Sequence, residues 1–316
     1  MVSKKENESE SRRIIIIGGK GKMGQFFARE LSKSGHQVEA FGNQDWQFAD
    51  KLLGNADLVL ISVPIEKTVE VIKRAAQYLK PTTAMADITS VKVEPVEAML
   101  KYHKGAVMGL HPMFGPKVES FAQQIVVVCR GRNDEEFTWL LDFFAAKGSK
   151  LVESTAQEHD KMMVIIQAMR HFGRFSLGVF LAEENIDIQR SLSMASPTYR
   201  QEIDILKRLF AQSSHLCADI MLATEERCEM IVSLAKTYSR LAKIVANKDR
   251  EALIKEFEET RSFFDEALAS ENQLEETVED YLINNSFTSQ EYPKEVKQDD
   301  SENILLTTLL ELTANS

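Results

Sequence analysis

The clearest candidate for chemistry in this chain is a histidine enclosed by glycines and prolines. His111 stands in Gly109-Leu110-His111-Pro112-Met113-Phe114-Gly115-Pro116, expected as a rigid loop after an apolar strand over residues 106–110. An imidazole there can meet a bound substrate, and at neutral pH it can accept a proton. Far upstream, Ile14-Ile15-Ile16-Ile17 runs into Gly18-Gly19-Lys20-Gly21-Lys22-Met23-Gly24. An apolar strand, a G-x-G-x-x-G spacing and a following helix form a dinucleotide-binding turn. Gly19 is read as the tight turn, Gly21 as the point where backbone approaches a pyrophosphate, and Gly24 as the close helix–strand contact, with Lys20, Lys22 and Met23 completing the loop. A nucleotide turn and a histidine in one α/β unit point to hydride transfer.

Three further clusters could complete such a site. Asp87-Ile88-Thr89-Ser90-Val91-Lys92 follows an apolar strand and is expected to turn Ser90 and Lys92 toward the crevice. Gln167 to Phe172 holds Arg170 and His171 on a helix, and Ser196-Pro197-Thr198-Tyr199-Arg200 opens another. Arg208 lies on the same helix as Arg200, about 12 Å along it. A guanidinium makes forked contacts with carboxylate, so these arginines could hold a dicarboxylate. The spacing Arg200, Asp204, Arg208 equally suits a surface ion-pair ladder, and His171 alone suits a packed core histidine. Ser62, Val63 and Pro64 fall at the carboxyl end of the third strand, where open sheets bind ligands, although Pro64 serves as well to start a helix.

The elements that must position these groups follow from periodicity. Short β-rich apolar runs at residues 14–17, 37–41, 58–62, 83–86, 106–110, 125–129 and 150–152 alternate with helical patterns. That alternation predicts an α/β fold with a Rossmann-like, mostly parallel sheet over residues 13–154. Thr155-Ala156-Gln157-Glu158 reads as a capping box, and the pattern is helical from there to Asn284. An all-α domain over 155–284 is therefore expected, preceded by a disordered N-terminus over 1–12 and followed by an acidic tail over 285–316. Residues 303–312 of that tail could form a short helix.

With 316 residues and 44% hydrophobic content, the chain can bury two cores. A net charge of -10 argues against nucleic acid, and no apolar run reaches membrane-spanning length. Three cysteines, Cys129, Cys217 and Cys228, lack metal-ligand spacing and are expected as packing residues in a reducing, cytoplasmic setting, with no metal in the site.

Taken in order, GGKGKMG, QDW (44–46), ISVPI (61–65), DITSVK (87–92), GLHPMFGP (109–116), EHD (158–160), QAMRHF (167–172), SPTYR (196–200) and RLFAQ (208–212) resemble prephenate dehydrogenases. The likeness is to the dehydrogenase part of the bacterial bifunctional chorismate mutase–prephenate dehydrogenases, and it runs from about Arg13 to Asn284. It implies oxidative decarboxylation of prephenate to 4-hydroxyphenylpyruvate with NAD, in tyrosine biosynthesis, by a homodimer formed through the helical domain. By the same resemblance His111 is the catalytic histidine facing the ring C4 hydroxyl, Ser90 supports it, and Arg208 binds a substrate carboxylate. Lys92, His171 and Arg200 match positions in or behind the active site.

The chain also departs from that pattern. Gly42 stands where an acidic residue would hold the adenosine ribose; Glu39 falls too early and Asp45 too late, so NADP is not excluded. Cys217 replaces a tyrosine, Asp204 replaces a small residue, and no mutase segment is expected before residue 13. The uncharged Gln212 beside Arg208 favours prephenate over arogenate, the nearest rival substrate. A catalytically silent, NAD-binding regulatory protein is the alternative from another class.

Overall fold

The computed structural model describes residues 11–269. The tail expected at 285–316, its short helix and most of the expected N-terminal arm lie outside them. Two compact units divide the chain, residues 1–239 and 240–316.

In the first unit the strands are β1 (Arg13–Ile17), β2 (Gln37–Phe41), β3 (Leu58–Ile61), β4 (Ala84–Asp87), β5 (Val107–Pro112), β6 (Ile125–Arg130) and β7 (Lys150–Glu153). They form one sheet in the order β2-β1-β3-β4-β5-β6-β7. Every neighbouring pair is parallel except β5 with β6. The mostly parallel, Rossmann-like sheet expected from the alternating pattern is present. Its central strands are apolar on both faces because helices cover both. Ile14, Ile16, Leu58, Leu60, Met108 and Leu110 enter one core, while Ile15, Ile17, Val59, Ile61, Met85 and Val107 enter the other, as the twofold repeat of a strand requires.

The strand order reverses between β1 and β3, and a sheet of this kind opens a crevice there, at their carboxyl ends. One expectation needs correcting there. His111 and Pro112 are not in a loop; they are the last two residues of β5, paired with Val127 and Val126 of antiparallel β6. The β6 ladder extends the strand past Leu110 and fixes the histidine's backbone more tightly than a loop would.

After β7 the first unit is helical, as expected. Thr155 caps the next helix, its hydroxyl accepting the Glu158 amide at 3.1 Å. The reciprocal half of the capping box is absent, because the Glu158 carboxylate meets the Ser154 hydroxyl instead. The helix Ala156–Met163 passes through a π-helical turn, Val164–Met169, into Arg170–Glu183. Such turns insert an extra residue and re-aim side chains. Ser196 and Pro197 start the helix Pro197–Phe210, as their order predicts.

The second unit contains the end of the helix Glu225–Ala246 and the helix Arg250–Ala267. An Arg240–Glu256 ion pair joins them, and Leu253, Ile254, Phe257, Phe263 and Phe264 are exposed. Among the described residues, no helix is long and apolar enough to cross a membrane.

Candidate active site

His111 is 2% exposed, and its Nδ1 lies 2.8 Å from Nε2 of His159. Nδ1 of His159 lies 2.7 Å from Oδ1 of Asp160. The protons in this chain can be assigned from its acidic end. Burial works to raise the Asp160 carboxyl, but hydrogen bonds from His159 and from the Val93 and Lys92 amides hold it below its ordinary value. Ionised Asp160 can only accept, so His159 carries its proton on Nδ1. Burial keeps His159 neutral, leaving its Nε2 as an acceptor, and His111 must donate from Nδ1. The basic lone pair of His111 therefore sits on Nε2. Burial, then the fields of His159, Lys92 and Arg227, push the His111 pKa well below its usual 6.5. Opposite that lone pair, the Gln167 side-chain amide donates at 3.2 Å.

Gln167 connects the histidine to a second feature. It lies on the π-helical turn, and its backbone carbonyl accepts Nδ1–H of His171 at 2.7 Å. His171, with Arg170, Arg174, Ile205, Arg208, Leu209 and Gln212, lines a cavity of 380 Å³. Three guanidiniums meet there. Among the described residues none of the three forms an ion pair. Burial and then the like charges of Arg170 and Arg208 lower the Arg174 pKa. Converging, uncompensated cations make a receptor for anions.

The other expected residues are distributed less simply. Arg208, His171 and Gln212 line the cavity. Arg200 does not; it donates to the Leu192 carbonyl at 2.5 Å. The ion-pair ladder through Asp204 is also absent among the described residues, since Arg208 bonds the Asp204 carbonyl rather than its carboxylate. Lys92 does not face a crevice. It is fully buried, its ammonium paired with Asp87, because a lysine without water must keep a carboxylate against it. Its backbone N–H and that of Val93 instead anchor Asp160, at 2.7 and 2.9 Å. Ser90 is half-buried, and its carbonyl accepts Nη2 of Arg227 at 3.1 Å; among the described residues its hydroxyl makes no hydrogen bond to His111.

Several functional residues escaped the sequence reading. His159 and Asp160 belong to the quoted EHD motif, but nothing in one sequence says that they face His111. Arg227 gave no signal, being one arginine on a polar helix. It is fully buried, donates to the Ile220 and Ser90 carbonyls, and leaves Nε without a partner among the described residues.

The nucleotide turn is built at the carboxyl ends of β1 and β3. The residue with a left-handed backbone is Gly18 (φ +85), not Gly19 as expected. A Cβ at Gly18 would lie 2.1 Å from the Ser62 carbonyl oxygen, so the β3 end presses directly on the turn. Gly19 instead permits close approach to Ala40 of β2, and Gly24 permits packing on Gly18. Val63 also touches this turn, whereas Pro64 starts a short helical turn. The helix Lys22–Lys33 begins at Gly21 with no side-chain cap. Its first N–H groups stay free for an anion, and Gly21 has open space around its missing side chain beyond the Gly18 carbonyl. These residues fit the pyrophosphate of NAD.

A mostly parallel nucleotide-binding sheet, a neutral buried histidine and an anion-receiving helical pocket define a dinucleotide-dependent dehydrogenase of acidic substrates. Residues 30–153 match the family described as prephenate dehydrogenase, nucleotide-binding domain, and residues 155–259 match prephenate dehydrogenase, dimerization domain. The T-protein of Haemophilus influenzae is 43% identical over 256 residues, covering 81% of this chain and 68% of that protein. A probable arogenate/prephenate dehydrogenase of Methanocaldococcus jannaschii is 33% identical, covering 79% of this chain and 60% of that one. In fold the chain is similar to a crystal structure of prephenate dehydrogenase from A. aeolicus in complex with hydroxyphenyl propionate and NAD+, with a TM-score of 0.62 at 16% identity, covering 82% of this chain and 99% of the other. The chain belongs to the prephenate dehydrogenase family.

Proposed function

We propose that this enzyme converts prephenate to 4-hydroxyphenylpyruvate and CO2, with His111 as the base and the Arg170–Arg174–Arg208 cavity as the carboxylate receptor. The observation that carries this reading is the hydrogen-bonded chain from Asp160 through His159 to His111, from which a neutral imidazole with Nε2 as acceptor follows. Gln167 joins that nitrogen to the cationic cavity, so base and anion receptor serve one bound molecule.

NAD, when bound at the Gly18–Gly24 turn, supplies the hydride acceptor. The chain's own residues do the rest. Arg208, with Arg170, Arg174 and His171, binds carboxylate and orients the substrate. Its ring hydroxyl takes the place of the Gln167 amide at His111 Nε2, which draws off the hydroxyl proton as a ketone-like oxygen develops. His159 and Asp160 hold the imidazole in the tautomer that leaves Nε2 bare for the arriving proton. Arg227 braces the Ser90 segment through its carbonyl. As the ring carboxylate leaves as CO2, its bonding electrons enter the ring and the C4 oxygen takes a proton back from His111 as the phenol forms; aromatisation supplies the driving force.

Arogenate, the main rival, carries an ammonium group. Among the residues lining the cavity there is no carboxylate to receive one, which favours prephenate. Residues 13–154 are proposed as the cofactor portion and residues from 155 onward as the substrate and dimer portion, of a cytoplasmic homodimer. Prephenate and arogenate, each with NAD and NADP, should be assayed for reduced cofactor. Turnover of prephenate with NAD is expected to exceed that of arogenate; no reduced cofactor in any pairing would overturn the enzymatic reading.

A further inference from the structure

The end of β2 closes against the nucleotide turn in an unexpected way. Gly42 follows the strand in extended conformation, at φ -123, so nothing in its backbone demands glycine. Asp45 folds back over one short helical turn, and its Oδ2 accepts the Gly42 N–H at 2.7 Å. The same oxygen meets Nζ of Lys20 at 3.4 Å. Lys20 belongs to the glycine turn, and its chain crosses directly over Gly42. A Cβ at residue 42 would lie 3.2 Å from Lys20 Cδ and 3.3 Å from Nζ. The space that a side chain at the end of β2 would fill is therefore occupied by an ammonium group.

In NAD-selective sheets of this kind, an acidic side chain at the end of β2 binds the ribose 2′-hydroxyl and repels a 2′-phosphate. Here the charges differ. Asp45 is ionised, held below its ordinary value chiefly by the Gly42 N–H and then by Lys20, but that oxygen is already occupied by both. Lys20 neutralises it and remains 65% exposed at the side chain, free to swing toward an added anion. An ammonium on a flexible stem is a phosphate-binding group.

We propose that Lys20, Gly42 and Asp45 form the ribose 2′ subsite, and that this subsite admits NADP alongside NAD. Lys20 receives the 2′-phosphate, Asp45 serves the 2′-hydroxyl through its second oxygen, and glycine at position 42 removes the repulsion that would reject phosphate. The inference rests on the dinucleotide reading of the Gly18–Gly24 turn.

Binding, not turnover, separates the two. Dissociation constants for NADH and NADPH should be measured on the full chain by nucleotide fluorescence. A wild-type ratio within about 30-fold is expected, since one exposed ion pair contributes only modestly. Lys20→Ala should shift the ratio at least about threefold against NADPH, and Gly42→Glu, which the extended backbone tolerates, should shift it further the same way. Raising salt should weaken NADPH more than NADH. A wild-type preference for NADH beyond about 30-fold, or a Lys20→Ala ratio that moves less than about threefold, overturns the subsite. Binding of neither nucleotide would instead defeat the dinucleotide reading beneath it.

Discussion

Replacing His159 with leucine removes the group that fixes the tautomer of His111 while leaving the carboxylate pocket untouched. His159 is 2% exposed and accepts Nδ1–H of His111 at 2.8 Å. In His159→Leu that N–H is buried without a partner, at a cost of about 1–3 kcal/mol. The imidazole can escape by moving its proton to Nε2, where the unpartnered Oε1 of a rotated Gln167 would accept it. Nε2 is then a donor and cannot take the substrate proton. The energy difference translates to a fall of about 5- to 150-fold in kcat, with KM for prephenate little changed, because His159 is not among the residues lining the cavity. His159→Gln supplies a side-chain carbonyl that can accept Nδ1–H again and should recover part of the loss. Steady-state kinetics on both variants, with thermal melts to establish folding, decide the matter. A folded leucine variant with kcat within about twofold of wild type would refute the reasoning.

Four other outcomes follow from the same structure. Burial is the largest cause lowering the pKa of His36, His103, His111, His159 and His171. Their folded forms bind fewer protons than the unfolded chain below pH 6.5, so stability present above that pH should drain away as pH falls through the folded values; a Tm that stayed flat from neutrality to pH 5 would contradict this. The acid limb of kcat/KM should likewise lie below about pH 6.5, because neutral His111 persists there. Arg208→Ala should lower kcat/KM by about 10- to 100-fold through lost carboxylate binding, on the scale of a charge-assisted hydrogen bond, whereas Arg200→Ala, outside the cavity, should cost much less. Gly18→Ala forces a side chain into φ +85 and within 2.1 Å of the Ser62 carbonyl oxygen. It should lower Tm and weaken NADH binding, measured by melts and fluorescence titration.

Some of this architecture is local and some is not. The isoleucine run at 14–17 and the apolar runs of β3 to β6 declare their strands, because burial on both faces leaves apolar residues on both. His111 is visible in its Gly-Leu-His-Pro setting, and Arg208, His171 and Gln212, named from the family resemblance, line one cavity. The partner of His111 comes from 48 residues further on, and no helical or strand period relates those positions. Lys92 looked outward only until the fold placed Asp87 against it. Asp45 seemed too late to reach the end of β2, since its return depends on a short helical turn ending on the Gly42 amide. Each failure concerns a polar partner that periodicity does not reveal, because hydrogen bonding and charge compensation decide which way a buried side chain points.

The tautomer of His111 is the most direct test of the base that this account requires. In the enzyme labelled with 15N at histidine, with His111→Asn used to assign the resonance, the account predicts a neutral ring at pH 7 protonated on Nδ1 and bare on Nε2. A ring protonated on Nε2, or an imidazolium at that pH, would contradict it.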